Sequence, residues 1–75
     1  MGAIAAMSRR QYKRLVITAR HPKTEIWVGD DEGNFVQKEV GRMETSLLPG
    51  RYTVEFGLGK RKRRFELRAN LEMRQ

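Results

Sequence analysis

Five consecutive cationic side chains stand between a glycine-containing turn and an alternating apolar segment. They form the run Lys60, Arg61, Lys62, Arg63 and Arg64. Ammonium and guanidinium groups bind anions, whether phosphates, carboxylates or anionic lipid headgroups. Arg9 and Arg10 add a second basic segment, and the whole chain of 75 residues has a net charge of +7. An anionic partner is therefore the first expectation for this sequence.

Four interpretations of this basic run are open. It fits a nuclear localisation signal, a contact with nucleic-acid phosphates, a docking site for an acidic protein surface, or a charged hairpin tip that keeps edge strands from pairing. Aromatic residues do not interleave with the run, as they tend to do in single-strand binders. We therefore favour an acidic protein partner within a larger assembly, and keep a small basic nucleic-acid-binding β-barrel as the alternative.

Residues that could catalyse a reaction or hold a metal are few. His21 is the single histidine and lies beside Pro22 in a predicted loop, and the chain has no cysteine. A nucleophile needs a base that a third group orients, and no such set is evident. In an EF-hand count that begins at Asp30, glycine is fourth rather than sixth, and the twelfth residue is Gly41 rather than glutamate. We predict no catalytic residue, no metal site and no cofactor.

The elements that must position these residues are predicted from alternating apolar residues. Alternation with a period of two is typical of strands with one buried face. It runs through LVITAR, TEIWVG, FVQKEVGR, METSLL, RYTVEFGL and RRFELRANL. One-face alternation favours antiparallel pairing, because the strands of parallel sheets read as continuous apolar runs. The chain is predicted to be all-β, a small antiparallel β-sandwich of six to seven short strands.

The same alternation predicts which side chains face the core. The predicted core-facing set is Leu15, Ile17, Ala19, Ile26, Val28, Met43, Thr45, Leu47, Tyr52, Val54, Phe56, Leu58, Phe65, Leu67, Ala69 and Leu71. Val36 and Val40 are predicted to share one face of their strand. Turns are expected at Pro49-Gly50, with Gly50 in the left-handed conformation, and at Gly57–Lys60.

Aromatic side chains are predicted on the outside as well. Trp27 alternates out of the face formed by Ile26 and Val28, and Tyr12 and Phe35 are also expected off the core. Outward aromatic residues indicate an interface, unless an N-terminal arm of the same chain covers them. Both interpretations stay open for Trp27. It joins the basic run, Arg9 and Arg10 as a candidate binding residue.

The chain is predicted to form one domain. Residues 1–12 are expected to be a flexible or vector-derived arm, and residues 13–75 a single β-sandwich domain. The opening MGAIAAMS is a short apolar run with no cation ahead of it, and is a poor secretory signal. No stretch approaches the ~20 apolar residues of a membrane helix. The poor signal and the lack of cysteine favour the cytoplasm over export.

The segment LLPGRYTVEF resembles the small β-sandwich modules of the PEGA and carboxypeptidase-regulatory-like type. In those modules a leucine precedes a Pro-Gly turn and an aromatic-x-Val strand follows. The matching residues are Leu48, Pro49, Gly50, Tyr52 and Val54. Upstream, TEIWVGDDEGNFV looks like the module's second strand, acidic turn and next strand, whereas the PEGA tetrapeptide itself is absent. The resemblance spans roughly residues 21–71 and implies a non-catalytic accessory or interaction module.

Overall fold

The computed structural model describes residues 11–75, which fold into two packed β-sheets. Residues 1–10, and with them Arg9 and Arg10, lie outside the described part. The strands of the described part are β1 (Lys13–Thr18), β2 (Glu25–Asp30), β3 (Phe35–Val40), β4 (Arg42–Leu47), β5 (Gly50–Phe56), β6 (Lys62–Leu67) and β7 (Leu71–Arg74). The prediction of an all-β sandwich of six to seven short strands is confirmed.

Strands that are distant in sequence pair within each sheet. The three-stranded sheet has the order β4-β1-β7, and the four-stranded sheet has the order β3-β2-β5-β6. Among these pairs all but β1–β7 are antiparallel. In that parallel pair, Leu15 lies opposite Leu71 and Thr18 opposite Arg74. The alternation in β7 does not reveal the parallel neighbour, because β7 is four residues long and only one of its sides is paired.

Alternating residues from both sheets fill the space between them. The most deeply buried side chains are Leu15, Ile17, Ile26, Val28, Met43, Val54 and Leu67. Tyr52, Phe56, Phe65 and Leu71 pack around this core and are partly buried. Burying one such apolar side chain contributes roughly 1.5–3 kcal/mol to folding. This narrow core, predicted in large part from the alternation, holds the two sheets face to face.

β3 departs from the predicted alternation. A bulge in the β2–β3 pair places Gln37, rather than Val36, opposite Val28. Gln37 faces inward, where its Oε1 accepts a hydrogen bond from Thr45 Oγ1 at 2.8 Å. Val36 packs against the core, whereas Val40 is 54% exposed. The prediction that the two valines share a face is wrong, because the extra residue of the bulge inverts the phase of the strand.

Three other positions differ from the alternation. Leu58 is exposed, because Gly57, with a φ of 99°, ends β5 before it. Ala69 is exposed, since it lies in the link that carries the chain from one sheet to the other. Gly50 has no positive φ and is the first residue of β5. The turn at Gly57–Lys60 is confirmed by a hydrogen bond from the Lys60 N–H to the Gly57 carbonyl oxygen at 3.1 Å.

Gly41 joins the two sheets. It lies between β3 and β4 with a φ of 80°. Its N–H donates to the Thr24 carbonyl oxygen, and its own carbonyl oxygen accepts from the Ala19 N–H, both at 2.8 Å. A Cβ atom at this position would lie 2.6 Å from the carbonyl oxygen of Pro22. Glycine is therefore required here, and the crossing fixes the β1–β2 link, residues 19–24, at one end of the sandwich.

Candidate functional site

The fold divides the basic run among three environments. Lys60 and Arg61 lie in the β5–β6 turn, whereas Lys62, Arg63 and Arg64 form the first half of β6. Because side chains alternate along a strand, Lys62 and Arg64 point to the outer face of the sheet. Arg63 lies opposite a buried residue of β5 and points to the inner side. The five cations therefore do not form one continuous patch on a single face.

Arg63 closes the side of the sandwich between β6 and β7. Its guanidinium carbon lies 5.9 Å from the centroid of the Phe56 ring. Its Nη1 donates to the carbonyl oxygen of Arg74 at 3.3 Å, a contact that joins the two sheets. A cation over an aromatic ring contributes about 0.5–1 kcal/mol at an exposed site. Arg63 therefore contributes to folding as well as to the positive charge.

Hydrogen bonds from backbone N–H groups link separate segments where β1, β5 and β7 end. The Gly57 N–H donates to the Glu25 carbonyl oxygen at 2.8 Å, and the Gln75 N–H donates to the Thr18 carbonyl oxygen at 2.9 Å. The Arg20 N–H donates to Oε1 of Gln75 at 2.8 Å. We call this region the basic end. Eight cations lie at this end: the ion-paired Arg42 and Lys62, and Arg20, Lys23, Lys60, Arg61, Arg63 and Arg74.

The charge of the basic end is only partly neutralised by nearby acids. Arg42 pairs with Glu44 and Lys62 with Glu55, whereas the other six cations form no ion pair with a carboxylate of residues 11–75. A cavity of about 360 Å³ opens beside three of these six cations. It is lined by Phe56, Lys60, Arg61, Arg63 and Gln75. Like charges that are held close together attract anions to the surface, so this end favours an anionic partner.

Trp27 is held in one orientation on the outer face of the four-stranded sheet. Its ring packs edge-on against Phe35, with centroids 5.9 Å apart and an interplanar angle of 66°. Its Nε1 donates to Glu25 Oε1 at 3.1 Å. The ammonium of Lys38 lies 4.9 Å from the ring centroid. The bond from Trp27, followed by Lys38, holds the pKa of Glu25 below its ordinary value. The ring of Trp27 is therefore held in place on the surface, where a binding partner could contact it without moving it.

An open groove of about 280 Å³ connects the aromatic pair to the basic run. Trp27, Phe35 and Leu58 give it apolar walls, and Lys62 lines its other side. Gly29 lies on its floor, where an added Cβ would meet the Asn34 carbonyl oxygen at 3.1 Å. The predicted outward position of Trp27 and Phe35 is confirmed, and the fold brings Trp27 into the same groove as Lys62.

Acidic side chains interrupt the cations on this outer face. The cations are Lys38, Arg51, Lys62 and Arg64, and the acids are Glu25, Glu55 and Glu66. Glu55 is the least exposed of the acids that form ion pairs, with 15% of its side chain exposed, and its Oε1 lies 3.8 Å from Lys62 Nζ. Arg51 and Arg64 have no ion-pair partner within residues 11–75. The face is therefore of mixed charge with two unneutralised arginines.

The acidic turn after β2 is organised by Asp30. Its Oδ1 accepts the Asn34 N–H at 2.8 Å and the Glu32 N–H at 2.9 Å, and its Oδ2 accepts from Asn34 Nδ2 at 3.1 Å. The bonds from Asn34 are the main cause that holds the pKa of Asp30 below its ordinary value. This carboxylate caps the turn, as short polar side chains commonly do.

Other features of the described chain bear on catalysis, metal binding and membrane insertion. His21 is exposed in the β1–β2 link. Across residues 11–75, no three histidine, aspartate or glutamate side chains are grouped as a metal site would need. Nor does this part of the chain contain a helix long and apolar enough to cross a membrane.

Sequence reasoning missed some members of the site. Arg20, Lys23 and Arg74 belong to the basic end. They lie outside the basic run, in segments whose local sequence has no motif that would predict binding. Leu58 was expected in the core and instead lines the groove. Glycines on both sides of it, Gly57 and Gly59, were the available signal, because both have positive φ and so take Leu58 out of the strand.

Comparison with known proteins does not extend this description. No family model, curated protein or solved structure matches the chain. The resemblance of residues 48–54 to PEGA-type modules stays a prediction that rests on the residues alone.

Proposed function

We propose that this chain is a non-catalytic interaction module that binds an acidic surface of a protein partner. The basic end, with the adjoining outer face of β6, makes the contact. The observation that carries the proposal is the group of six cations at one end that form no ion pair within the described residues. The resemblance to PEGA-type accessory modules supports the same class of function.

A protein partner accounts for the aromatic groove as well as for the charge. Protein interfaces are enriched in aromatic residues and arginine, and a few residues that fill pockets dominate the binding energy. Trp27 and Phe35 offer such a pocket beside Lys62. Charges around the pocket, such as Arg64, steer an acidic partner and mainly raise the association rate.

Nucleic acid is the second candidate, because Trp27 and Phe35 lie on the same sheet face as Lys62. Aromatic side chains near cations are the usual platform for single-stranded nucleic acid. However, Lys38 occupies one side of the Trp27 ring, where a base would stack. Glu55 and the other acids of this face would also repel a phosphate backbone. We therefore prefer the protein partner.

The experiment compares two triple variants with the same change in net charge. The first is Lys60→Gln, Arg61→Gln, Arg64→Gln, which spares Arg63 because of its contacts with Phe56 and Arg74. The control is Lys13→Gln, Arg14→Gln, Arg68→Gln, three cations at the opposite end of the sandwich. A partner is identified by cross-linking in native cells and mass spectrometry, then purified for kinetic binding measurements.

We expect the first variant to bind about tenfold or more weakly, mainly through a slower association rate, while the control stays near wild type. Binding to random duplex and single-stranded DNA is measured in parallel against salt. Salt-steep DNA binding would favour the second candidate if the first variant reduces the slope by about 0.9 for each duplex phosphate that it no longer neutralises. Equal weakening in both variants would show that only net charge matters, which contradicts a defined site.

A further inference from the structure

β6 is an edge strand whose pairing is regular along its whole length. It pairs with β5 on one side through consecutive positions from Lys62 to Leu67, with no bulge. On its other side, no strand of residues 11–75 pairs with it. Half of the N–H and C=O groups of an edge strand lack a partner in the sheet, and such a row can template another strand.

The other sheet edges are less suitable for strand addition. β3 is bulged against β2, which twists an edge away from a straight partner. β7 has only four residues. β4 is regular, but Arg42 and Glu44 on it are ion-paired, and Glu44 also pairs with Arg14 of β1. β6 alone among these edges combines full length with three exposed consecutive cations at its start.

The charge on β6 selects what can pair with it. Two copies of β6 side by side in a parallel, in-register arrangement would bring cations against cations, and like charges on neighbouring strands destabilise pairing. An acidic strand would instead place carboxylates beside Lys62 and Arg64 on the outer face. Arg64 has no ion-pair partner within the described residues, and the ion pair of Lys62 is long, at 3.8 Å.

We propose that β6 accepts an extended acidic segment of another protein as an added strand of the four-stranded sheet. Every second side chain of that segment would lie beside Lys62 and Arg64, and main-chain hydrogen bonds to the β6 edge would supply the remaining affinity. This inference rests on the proposed function, since it gives the acidic partner a conformation. Strand addition also gives a role to the cations of the basic run that lie within β6 and not in the turn.

The test uses a short fluorescent peptide of alternating glutamate and threonine, with an alternating lysine and threonine peptide as its charge control. Two further acidic peptides carry N-methyl groups on alternate backbone nitrogens, one on the odd and one on the even residues. An added strand turns only one set of N–H groups toward β6. One methylated peptide should therefore lose binding, and the other should bind like the parent.

Backbone amide exchange provides a second measurement. Peptide binding should protect every second amide between Lys62 and Leu67 from exchange. Only the N–H groups that point away from β5, toward the free edge of the sheet, gain a hydrogen-bond partner. Lys62→Gln with Arg64→Gln should weaken binding about tenfold, whereas Lys13→Gln with Arg14→Gln should leave it unchanged.

The outcomes separate this inference from the proposed function. If both methylated peptides bind like the parent and β6 gains no protection, the acidic segment binds by charge alone, and strand addition is wrong while the proposed function stands. If no acidic peptide binds, strand addition is also wrong. If, in addition, wild-type protein binds DNA with a steep dependence on salt, the proposed function fails with it.

Discussion

The two outer faces of the sandwich use the same strand geometry for different purposes. On the three-stranded sheet, Glu44 lies between Arg14 and Arg42 and pairs with both. On the four-stranded sheet, Phe35 is 65% exposed and Arg64 has no ion-pair partner within residues 11–75. The first face pairs two of its three outward arginines with Glu44 and leaves only Arg74, at the basic end, without an ion pair within residues 11–75. The other face leaves both unpaired arginines and aromatic surface available.

This difference shows why the number of cations alone says little about binding. Arg14 and Arg42 add to the net charge as much as Arg64 does, but both lie against Glu44, whose single negative charge offsets one of their two positive charges at short range. The available charge is concentrated at the basic end and on the outer face of β6. A binding surface is therefore defined by cations without a partner, and not by the +7 of the whole chain.

The substitution with the largest expected effect is at Gly41, and it tests whether the two sheets unfold as one cooperative unit. Gly41→Ala should destabilise the fold by about 3 kcal/mol, because a positive φ and a close approach to the Pro22 carbonyl oxygen both oppose a Cβ atom. Urea denaturation followed by Trp27 fluorescence and by circular dichroism measures this change. Coincident transitions are expected, and separate ones would show that the two sheets unfold independently.

Gly33→Ala is the matched control for that variant. Gly33 has a φ of 88°, close to that of Gly41, but an added Cβ would meet no atom within 4 Å. Only the backbone cost applies, so the free energy of unfolding should fall by about 1 kcal/mol. Equal effects of the two substitutions would mean that the close approach to Pro22 does not contribute.

The second prediction concerns the aromatic pair on the four-stranded face. Trp27→Ala should cost about 2 kcal/mol, less than the 3–5 kcal/mol of a fully buried tryptophan, because the ring is only half-buried. Trp27→Phe keeps an edge contact with Phe35 but removes the donor to Glu25, and should cost about 1 kcal/mol. Ser46→Ala, on the opposite outer face, should stay within about 0.5 kcal/mol.

A result for Trp27→Ala as small as that for Ser46→Ala would contradict the contrast between the two faces. It would mean that the contacts of Trp27 with Phe35, Lys38 and Glu25 do not hold the ring in place.

The sequence predicted the strands better than the site, for physical reasons. Period-two alternation is a local signal, so the burial of Ile26 and Val28 and the outward position of Trp27 followed directly from it. The bulge in β3 has no such signal. The residues around Val36 and Gln37 do not indicate where the inward and outward positions of the strand exchange. The basic end depends on hydrogen bonds between segments that are distant in the chain, such as that from Gln75 to Thr18. No local pattern contains that information.

The smallest expected effect is on the dependence of stability on pH and salt. Arg42 and then Arg14 hold the pKa of Glu44 below its ordinary value, whereas the neutral indole N–H of Trp27 is the largest cause of the lowered pKa of Glu25. A carboxyl with a lowered folded-state pKa stabilises the fold above its unfolded-state pKa, and this contribution disappears as pH falls through the folded value. The free energy of unfolding should therefore be flat from about pH 7 to pH 5 and decrease below about pH 4.

Glu44→Gln and Glu25→Gln should each reduce that acid dependence, but they should respond differently to salt. Ion pairs between exposed groups are screened by salt, whereas a hydrogen bond from a neutral donor is screened much less. At high salt the difference between wild type and Glu44→Gln should nearly vanish near neutral pH. The difference for Glu25→Gln should persist in part, because Trp27 still donates to Glu25 in the wild type. Urea denaturation of the three proteins at low and high salt measures both differences. Equal salt sensitivity would mean that Glu25 is held by Lys38 and not by Trp27, and that both outer faces rely on ion pairs alone.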